Sequence, residues 1–64
     1  MSFSDRVKYV RAKLLISQTE LAELLSVSYV TISRWETNKL NPSFLAMQKF
    51  EKLCKDKHIV FEEK

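Results

Sequence analysis

The fold is decided by residues 17–36, which read SQTELAELLSVSYVTISRWE. Ser17 precedes Glu20 by three residues, so its hydroxyl can accept from the Glu20 amide while the Glu20 side chain reaches back to the Ser17 amide. Ile16 and Leu21 occupy the positions of a hydrophobic staple around this capping box. The pattern predicts a helix over about 18–25.

A second helix is predicted over about 29–37. Ser28 is a suitable N-cap, and Val27 and Ile32 again stand at the staple positions. Only residues 26–28 separate the two helices. Two short helices joined by such a turn form a stiff unit that can lay the second helix in the major groove of DNA. The spacing therefore favours a helix-turn-helix.

Two further helices flank this unit. Phe3, Val7, Val10 and Leu14 recur at spacings of three and four, which predicts a first helix over about 4–14. The turn at residues 41–43 leads into a predicted fourth helix over about 44–56. The apolar face expected for that helix comprises Leu45, Ala46, Phe50, Leu53 and Cys54.

The core and the tail complete the sequence picture. We expect a core that includes Leu21, Leu24, Leu25, Ile32 and Trp35, with small Ala22 where the two central helices cross. Residues 58–64 stay unassigned, because an apolar triplet that favours a strand is followed by Glu62 and Glu63. Two roles are open for this tail: it covers one end of the core, or it pairs with a second copy.

A length of 64 residues indicates one small domain spanning residues 1–64, and the four predicted helices make it all-α. Its net charge of +3 favours polyanions weakly. The single cysteine, Cys54, cannot form an internal disulfide, so we expect a reducing, cytoplasmic setting. The longest apolar runs are far too short to span a membrane. Cys54 and His58 lack companion ligands for a metal. No catalytic set and no glycine-rich phosphate loop is present, so we expect neither an enzyme nor a cofactor.

Several linked motifs carry a family resemblance. In order they are Gln18-Thr19-Glu20-Leu21-Ala22, Val27-Ser28, Thr31-Ile32-Ser33-Arg34-Trp35-Glu36, Asn38-Lys39 and Asn41-Pro42-Ser43. From about Arg6 to Leu53 the chain resembles the Cro/C1-type helix-turn-helix regulators of the XRE family. The resemblance implies a compact, lambda repressor-like bundle of four or five helices with the third as recognition helix. It also implies a transcriptional regulator, a repressor first of all, that binds a short inverted-repeat DNA operator as a homodimer, formed in solution or only on DNA.

The resemblance assigns roles to individual residues. Expected base contacts are Tyr29, Val30, Thr31, Ser33 and Arg34, with Ser33 also suited to a backbone contact. Expected phosphate contacts are Ser17, Gln18, Ser28, Thr37, Asn38 and Lys39. Arg11 and Glu36 are expected to form a structural salt bridge between the first helix and the recognition helix. For Lys52, Lys55 and Lys57 we favour solubility and the helix dipole over DNA contact.

Three positions depart from the family pattern, and two functional alternatives stay open. The family often has glycine where this chain has Leu15, Ser26 and Asn38. Leu15 and Ser26 would be strained at positive φ, so either the strain is accepted or the loops differ. The alternatives are an antitoxin or restriction-modification controller of the same fold, the former with a toxin partner, and a protein-interaction module using Tyr29, Val30 and Phe61.

Overall fold

The computed structural model describes residues 1–61, which form four helices and no strand. They are α1 (Phe3–Leu14), α2 (Gln18–Leu25), α3 (Tyr29–Glu36) and α4 (Phe44–Asp56). The all-α bundle expected from the sequence is confirmed. Helix α1 begins one residue earlier than predicted and α3 ends one residue earlier. None of the described helices is long and apolar enough to cross a bilayer.

Each helix begins at a serine cap. The hydroxyls of Ser2, Ser17, Ser28 and Ser43 accept from the third amide of the following helix, each at 3.1 Å. At α2 the capping box is complete, because the Ser17 amide donates to Glu20 Oε1 at 3.0 Å. A chain without glycine and with one proline thus marks its helix starts by side-chain hydrogen bonding.

Most of the turns after the helices use the left-handed backbone region. Leu15, Ser26, Asn38 and His58 have φ between 56° and 58°. The amide of Leu15 and that of Ile16, the latter at 3.1 Å, both donate to the Arg11 carbonyl. Leu15 and Ser26 therefore accept the strained left-handed conformation that normally favours glycine, and the loops do not differ from the family pattern.

The buried core lies between all four helices. Its apolar members are Val7, Val10, Leu21, Ala22, Leu25, Ile32, Trp35, Phe50, Leu53 and Cys54. Helix α3 packs on both α1 and α2, and α2 also packs on α4. Helix α3 therefore has one face covered by α1 and α2, while its other face is open to solvent.

Two residues expected on buried faces are exposed. Leu24 is 50% exposed because Leu21 and Leu25, one turn apart, take the inward direction, and Leu24 flanks an open groove beside α4. Leu45 is 61% exposed. It stands five residues before Phe50, which places it about 140° around α4 from that buried ring. The apolar faces predicted for α2 and α4 were too broad.

The described part of the tail covers one end of the core. Ile59 and Phe61 pack against the buried cluster in irregular backbone. The Phe61 ring lies 5.6 Å from Tyr9 and 6.3 Å from Phe50, with the Arg6 guanidinium 5.1 Å from its centroid. The covering role is confirmed for Ile59 and Phe61, whereas Val60 between them is 74% exposed. Residues 62–64, including the predicted solvent-facing Glu62 and Glu63, lie outside the described residues.

Candidate nucleic-acid interface

Helices α2 and α3 form a compact two-helix unit. The turn between them is closed by the Val27 amide, which donates to the Ala22 carbonyl at 3.0 Å, and by the left-handed Ser26. Ala22 is 3% exposed. A small side chain at this buried position allows the two helices to approach closely, as the sequence predicted.

The outward face of α3 carries the residues assigned to base contacts. Tyr29 is 52% and Val30 50% exposed, and Arg34 is also exposed. Thr31 and Ser33 are half-buried beside this face. Ile32 and Trp35 point into the core. The eight-residue helix thus presents one large aromatic, one branched aliphatic and one cationic side chain together to solvent.

The hydroxyl of Thr31 is already held within the protein. Its oxygen lies 2.9 Å from the Ser28 hydroxyl, and the Thr31 amide donates to that same Ser28 oxygen at 3.1 Å. The contact fixes the Thr31 side chain relative to the start of α3. The Ser28 hydroxyl can donate its one proton either to Thr31 or to an acceptor outside the protein.

The far end of α3 brings three assigned phosphate contacts together. Thr37 is the C-cap of α3, and its hydroxyl donates to the Ser33 carbonyl at 3.0 Å. Asn38 then turns the chain with φ 58°, and the Lys39 amide donates to the Arg34 carbonyl at 2.8 Å. Thr37, Asn38 and Lys39 are all exposed, so the Lys39 ammonium is free to follow an approaching anion.

Glu36, the last residue of α3, is the most heavily bonded side chain of this region. Arg11 donates through Nε to Oε2 at 2.6 Å and through Nη2 to Oε1 at 3.0 Å. Gln18 Nε2 donates to Oε1 at 2.9 Å. The Ser4 hydroxyl donates to the Glu36 carbonyl at 2.7 Å. The expected Arg11–Glu36 pair is present, and α1 and α2 both hold the same residue.

The ionisation of this pair follows from its contacts. Burial opposes the charge on Glu36 and is the largest single influence, but hydrogen bonds from Arg11 and Gln18 and the charges of Arg11 and Lys8 outweigh it. The pKa of Glu36 is therefore lowered. The hydrogen bond to Glu36 raises the pKa of Arg11 against the effect of its own burial. Both groups are charged at neutral pH.

Ser17 and Gln18 stand at the N-terminus of α2, where the first amides of a helix have no partner within it and favour an anion. Ser17 accepts a hydrogen bond through Oγ and retains its hydroxyl proton as a donor. Gln18 is half-buried, and its amide group is engaged with Glu36. Of the assigned phosphate contacts, Gln18 alone has its side chain tied to another helix.

Ser4 was missed as a site residue by the sequence reasoning. It is 2% exposed and belongs to the first turn of α1, whereas the cap of that helix is Ser2. Ser4 stands three residues before Val7 and so lies on the inward face of α1, but its partner lies 32 residues away. Only the fold reveals that contact.

No group of three or more potential metal-ligating side chains occurs among residues 1–61. Cys54 is buried in the core, and burial, with a smaller contribution from Glu51, raises the pKa of its thiol to about 11. The region around α2 and α3 offers hydrogen-bond donors, a cation and apolar contact surface.

Comparison with known families identifies this arrangement. A helix-turn-helix family model matches residues 7–60, which include α2, α3, α4 and most of α1. Searches of curated proteins and of solved structures give no match. The family match covers most of the chain and contains the two-helix unit described above. The chain belongs to the Cro/C1-type helix-turn-helix family (XRE family) of DNA-binding transcription regulators, with the all-α, lambda repressor-like fold of that family.

Proposed function

We propose that this protein binds double-stranded DNA sequence-specifically by inserting α3 into the major groove, and that it represses transcription by occupying a short inverted-repeat operator. The observation that carries the proposal is the outward face of α3. Tyr29 and Val30 stand adjacent and half-exposed at the start of a helix whose other face is buried. A helix face that only meets water usually carries polar side chains, so an adjacent exposed Tyr and Val indicate a contact surface.

The side chains of this face match the chemistry of base edges. Arg34 is suited to donate two hydrogen bonds to guanine O6 and N7. Val30 or the methyl group of Thr31 can pack on a thymine methyl, while Tyr29 and Ser33 offer hydroxyl groups. Each good pair contributes about 1 to 3 kcal/mol of discrimination between bases. Arg34 is therefore the residue on which the choice of sequence depends most.

Contacts with the DNA backbone would fix the register of α3. The side chains proposed for them are Ser17, Ser28, Thr37, Asn38 and Lys39; Gln18, also assigned to phosphate from the sequence, has its amide group engaged with Glu36. Lys39 is the one cation in that set and supplies its electrostatic attraction. Backbone contacts carry little sequence information, so these residues would set affinity rather than specificity.

A homodimer would read two half-sites. Recognition helices that enter successive major grooves on one face of the duplex lie about 34 to 36 Å apart. The Cα extents of one domain, 28 × 21 × 21 Å, are each smaller than that spacing. A tight monomer on an asymmetric site would contradict this part of the proposal.

Selection from random duplex DNA tests the function directly. The purified protein is incubated with the library at moderate salt, and the affinity of the enriched sequence is then measured against salt concentration. An enriched inverted repeat with a steep negative salt dependence supports the proposal, because each phosphate contact contributes about 0.9 to the logarithmic slope. Affinity equal to that for random DNA refutes it and favours a protein partner for the same face.

Three matched alanine variants separate the proposed roles. Arg34→Ala should reduce discrimination at one base pair, whereas Lys39→Ala should weaken binding to all sequences and reduce the salt slope by about 1. Lys55→Ala removes the same charge from the exposed last turn of α4 and should change neither property. Equal effects of Arg34→Ala and Lys39→Ala on every sequence would contradict the assignment.

A further inference from the structure

We infer that Ser4 and Gln18 are positioning residues for α3: through Glu36 they set the angle at which the helix meets DNA. The inference rests on the proposed function. It assigns Ser4 a part in recognition although its side chain is 2% exposed and cannot touch DNA. For Gln18 it makes the contact with Glu36, rather than a phosphate, the reason why the side chain matters.

The contacts form a clamp at one end of α3. Ser4 of α1 donates to the Glu36 carbonyl at 2.7 Å, and Gln18 of α2 donates to Glu36 Oε1 at 2.9 Å. Arg11 completes the clamp with two hydrogen bonds to the carboxylate, at 2.6 and 3.0 Å. The last carbonyls of a helix have no partner within it, so the bond from Ser4 uses a group that α3 leaves free. Main chain and side chain of one residue are thereby fixed from two other helices.

The length of α3 makes its angle sensitive to this end. Eight residues span about 12 Å along the helix axis. A rotation of about 10° around the clamp would move the opposite end by about 2 Å. Hydrogen bonds to base edges tolerate only about 0.5 Å in donor–acceptor distance. A small loss of constraint at Glu36 would therefore disturb the base contacts proposed for Tyr29 and its neighbours at the start of α3.

Polar contacts suit this task better than apolar packing alone. Ser4 and Glu36 are the two buried polar residues among residues 1–61, and they bond to each other. A hydrogen bond has a preferred direction as well as a distance, whereas apolar contact is non-directional. The clamp therefore adds an orientation to α3 that the surrounding core does not specify.

Specific and non-specific DNA affinity distinguish positioning from phosphate contact. Loss of a phosphate contact weakens binding to every sequence alike, whereas a tilted α3 loses mainly base contacts, because Ser28 is the one proposed phosphate contact at the end of α3 that moves. We expect Ser4→Ala and Gln18→Ala each to reduce affinity for the selected operator about three- to tenfold, which is the range for one net hydrogen bond. Affinity for random duplex should stay within about twofold of the wild-type value. Each variant is checked by its thermal melt before DNA is added.

Ser2→Ala is the matched control. It makes the same substitution two residues earlier and removes the exposed cap of α1 without touching Glu36. It should lower the melting temperature yet leave the ratio of specific to non-specific affinity unchanged. The inference is overturned if Ser2→Ala changes that ratio as much as Ser4→Ala does. It is overturned for Gln18 if Gln18→Ala weakens binding to operator and random DNA equally.

A measurement without DNA keeps this inference separable from the proposed function. Residual dipolar couplings of the amides in α3, relative to those in α2, report the angle between the two helices. Ser4→Ala and Gln18→Ala should change that angle, and Ser2→Ala should not. Unchanged couplings in both clamp variants would refute the clamp even if the wild-type protein binds an operator. Altered couplings with no operator for the wild type would refute the proposed function alone.

Discussion

Replacing Leu15 with glycine should stabilise the protein. Leu15 ends α1 with φ 56° and ψ 47°, the left-handed conformation in which a Cβ atom crowds the following carbonyl oxygen. Its side chain is 89% exposed, so truncation removes almost no buried surface. The substitution therefore isolates a backbone effect from packing.

The expected gain follows from two opposing terms. A residue with a Cβ atom loses about 1 to 2 kcal/mol in the left-handed helical region. Glycine avoids that loss, but its greater freedom in the unfolded chain costs about 0.5 to 1 kcal/mol. The net gain is about 0.5 to 1 kcal/mol, which corresponds to a rise in melting temperature of about 2 to 8 °C for a domain of this size.

Urea and thermal unfolding of three proteins would measure this effect. Leu15→Ala is the control, since alanine removes the same exposed atoms but keeps Cβ and hence the penalty. We expect the alanine variant to match the wild type within about 0.5 kcal/mol and the glycine variant to exceed both. Ser26→Gly should add a similar gain, because it lies in a different turn. Equal stabilities of the glycine and alanine variants would refute the strain argument.

Three further predictions concern the core and the clamp. Trp35→Ala should lose about 3 to 5 kcal/mol and leave the protein largely unfolded at 25 °C by circular dichroism, since the ring is 2% exposed; a cooperative melt near the wild-type temperature would contradict this. The pKa of Glu36 is lowered, so its ionised carboxylate stabilises the folded protein at neutral pH, and this stability should be lost as pH falls below the ordinary pKa of 4.5. In urea titrations at several pH values, Glu36→Gln should lack this component of the acid sensitivity. A thiol pKa raised from 9.0 to about 11 should make Cys54 react with iodoacetamide at pH 8 about 100-fold more slowly in the folded than in the urea-unfolded protein; equal rates would show that the thiol is accessible.

The local signals in this sequence predicted the helices well because capping is a local event. Ser17 and Ser28 each bond an amide three residues away, so their role can be seen within four residues of sequence. The start of α1 was predicted one residue late, at residue 4, so the cap at Ser2 was missed. The Glu36 carbonyl lies 32 residues from Ser4, and only the folded chain brings the two groups together.

The errors at Leu24 and Leu45 have a common cause. Apolar periodicity identifies a face of a helix but not the width of the surface that neighbouring helices cover. In α2, one turn of inward residues is enough to fill the space available, so Leu24 remains at the edge. In α4 the inward direction is set by Phe50, Leu53 and Cys54 together. The extent of a buried face depends on partners, which the sequence of one helix does not contain.

The turns show a different limit. Glycine residues would have predicted the left-handed turns directly, but this chain contains no glycine. Leu15 and Ser26 adopt them because their amides, together with those that follow, bond the last free carbonyls of the preceding helix. Only the family resemblance indicated these positions, and residue preference alone argued against them.

The placement of polar groups links stability to recognition in this protein. A buried ion pair is often no more stabilising than apolar side chains of similar size, because both charges must lose water. Glu36 nevertheless concentrates two charges and two neutral donors at the end of α3, close to a core that is otherwise apolar. Stability alone gives no reason for that arrangement. A requirement for one fixed orientation of α3 does, since directional bonds restrict an angle that packed aliphatic side chains would leave adjustable. If α3 binds DNA as proposed, the polar contacts at Glu36 therefore serve recognition by holding that orientation.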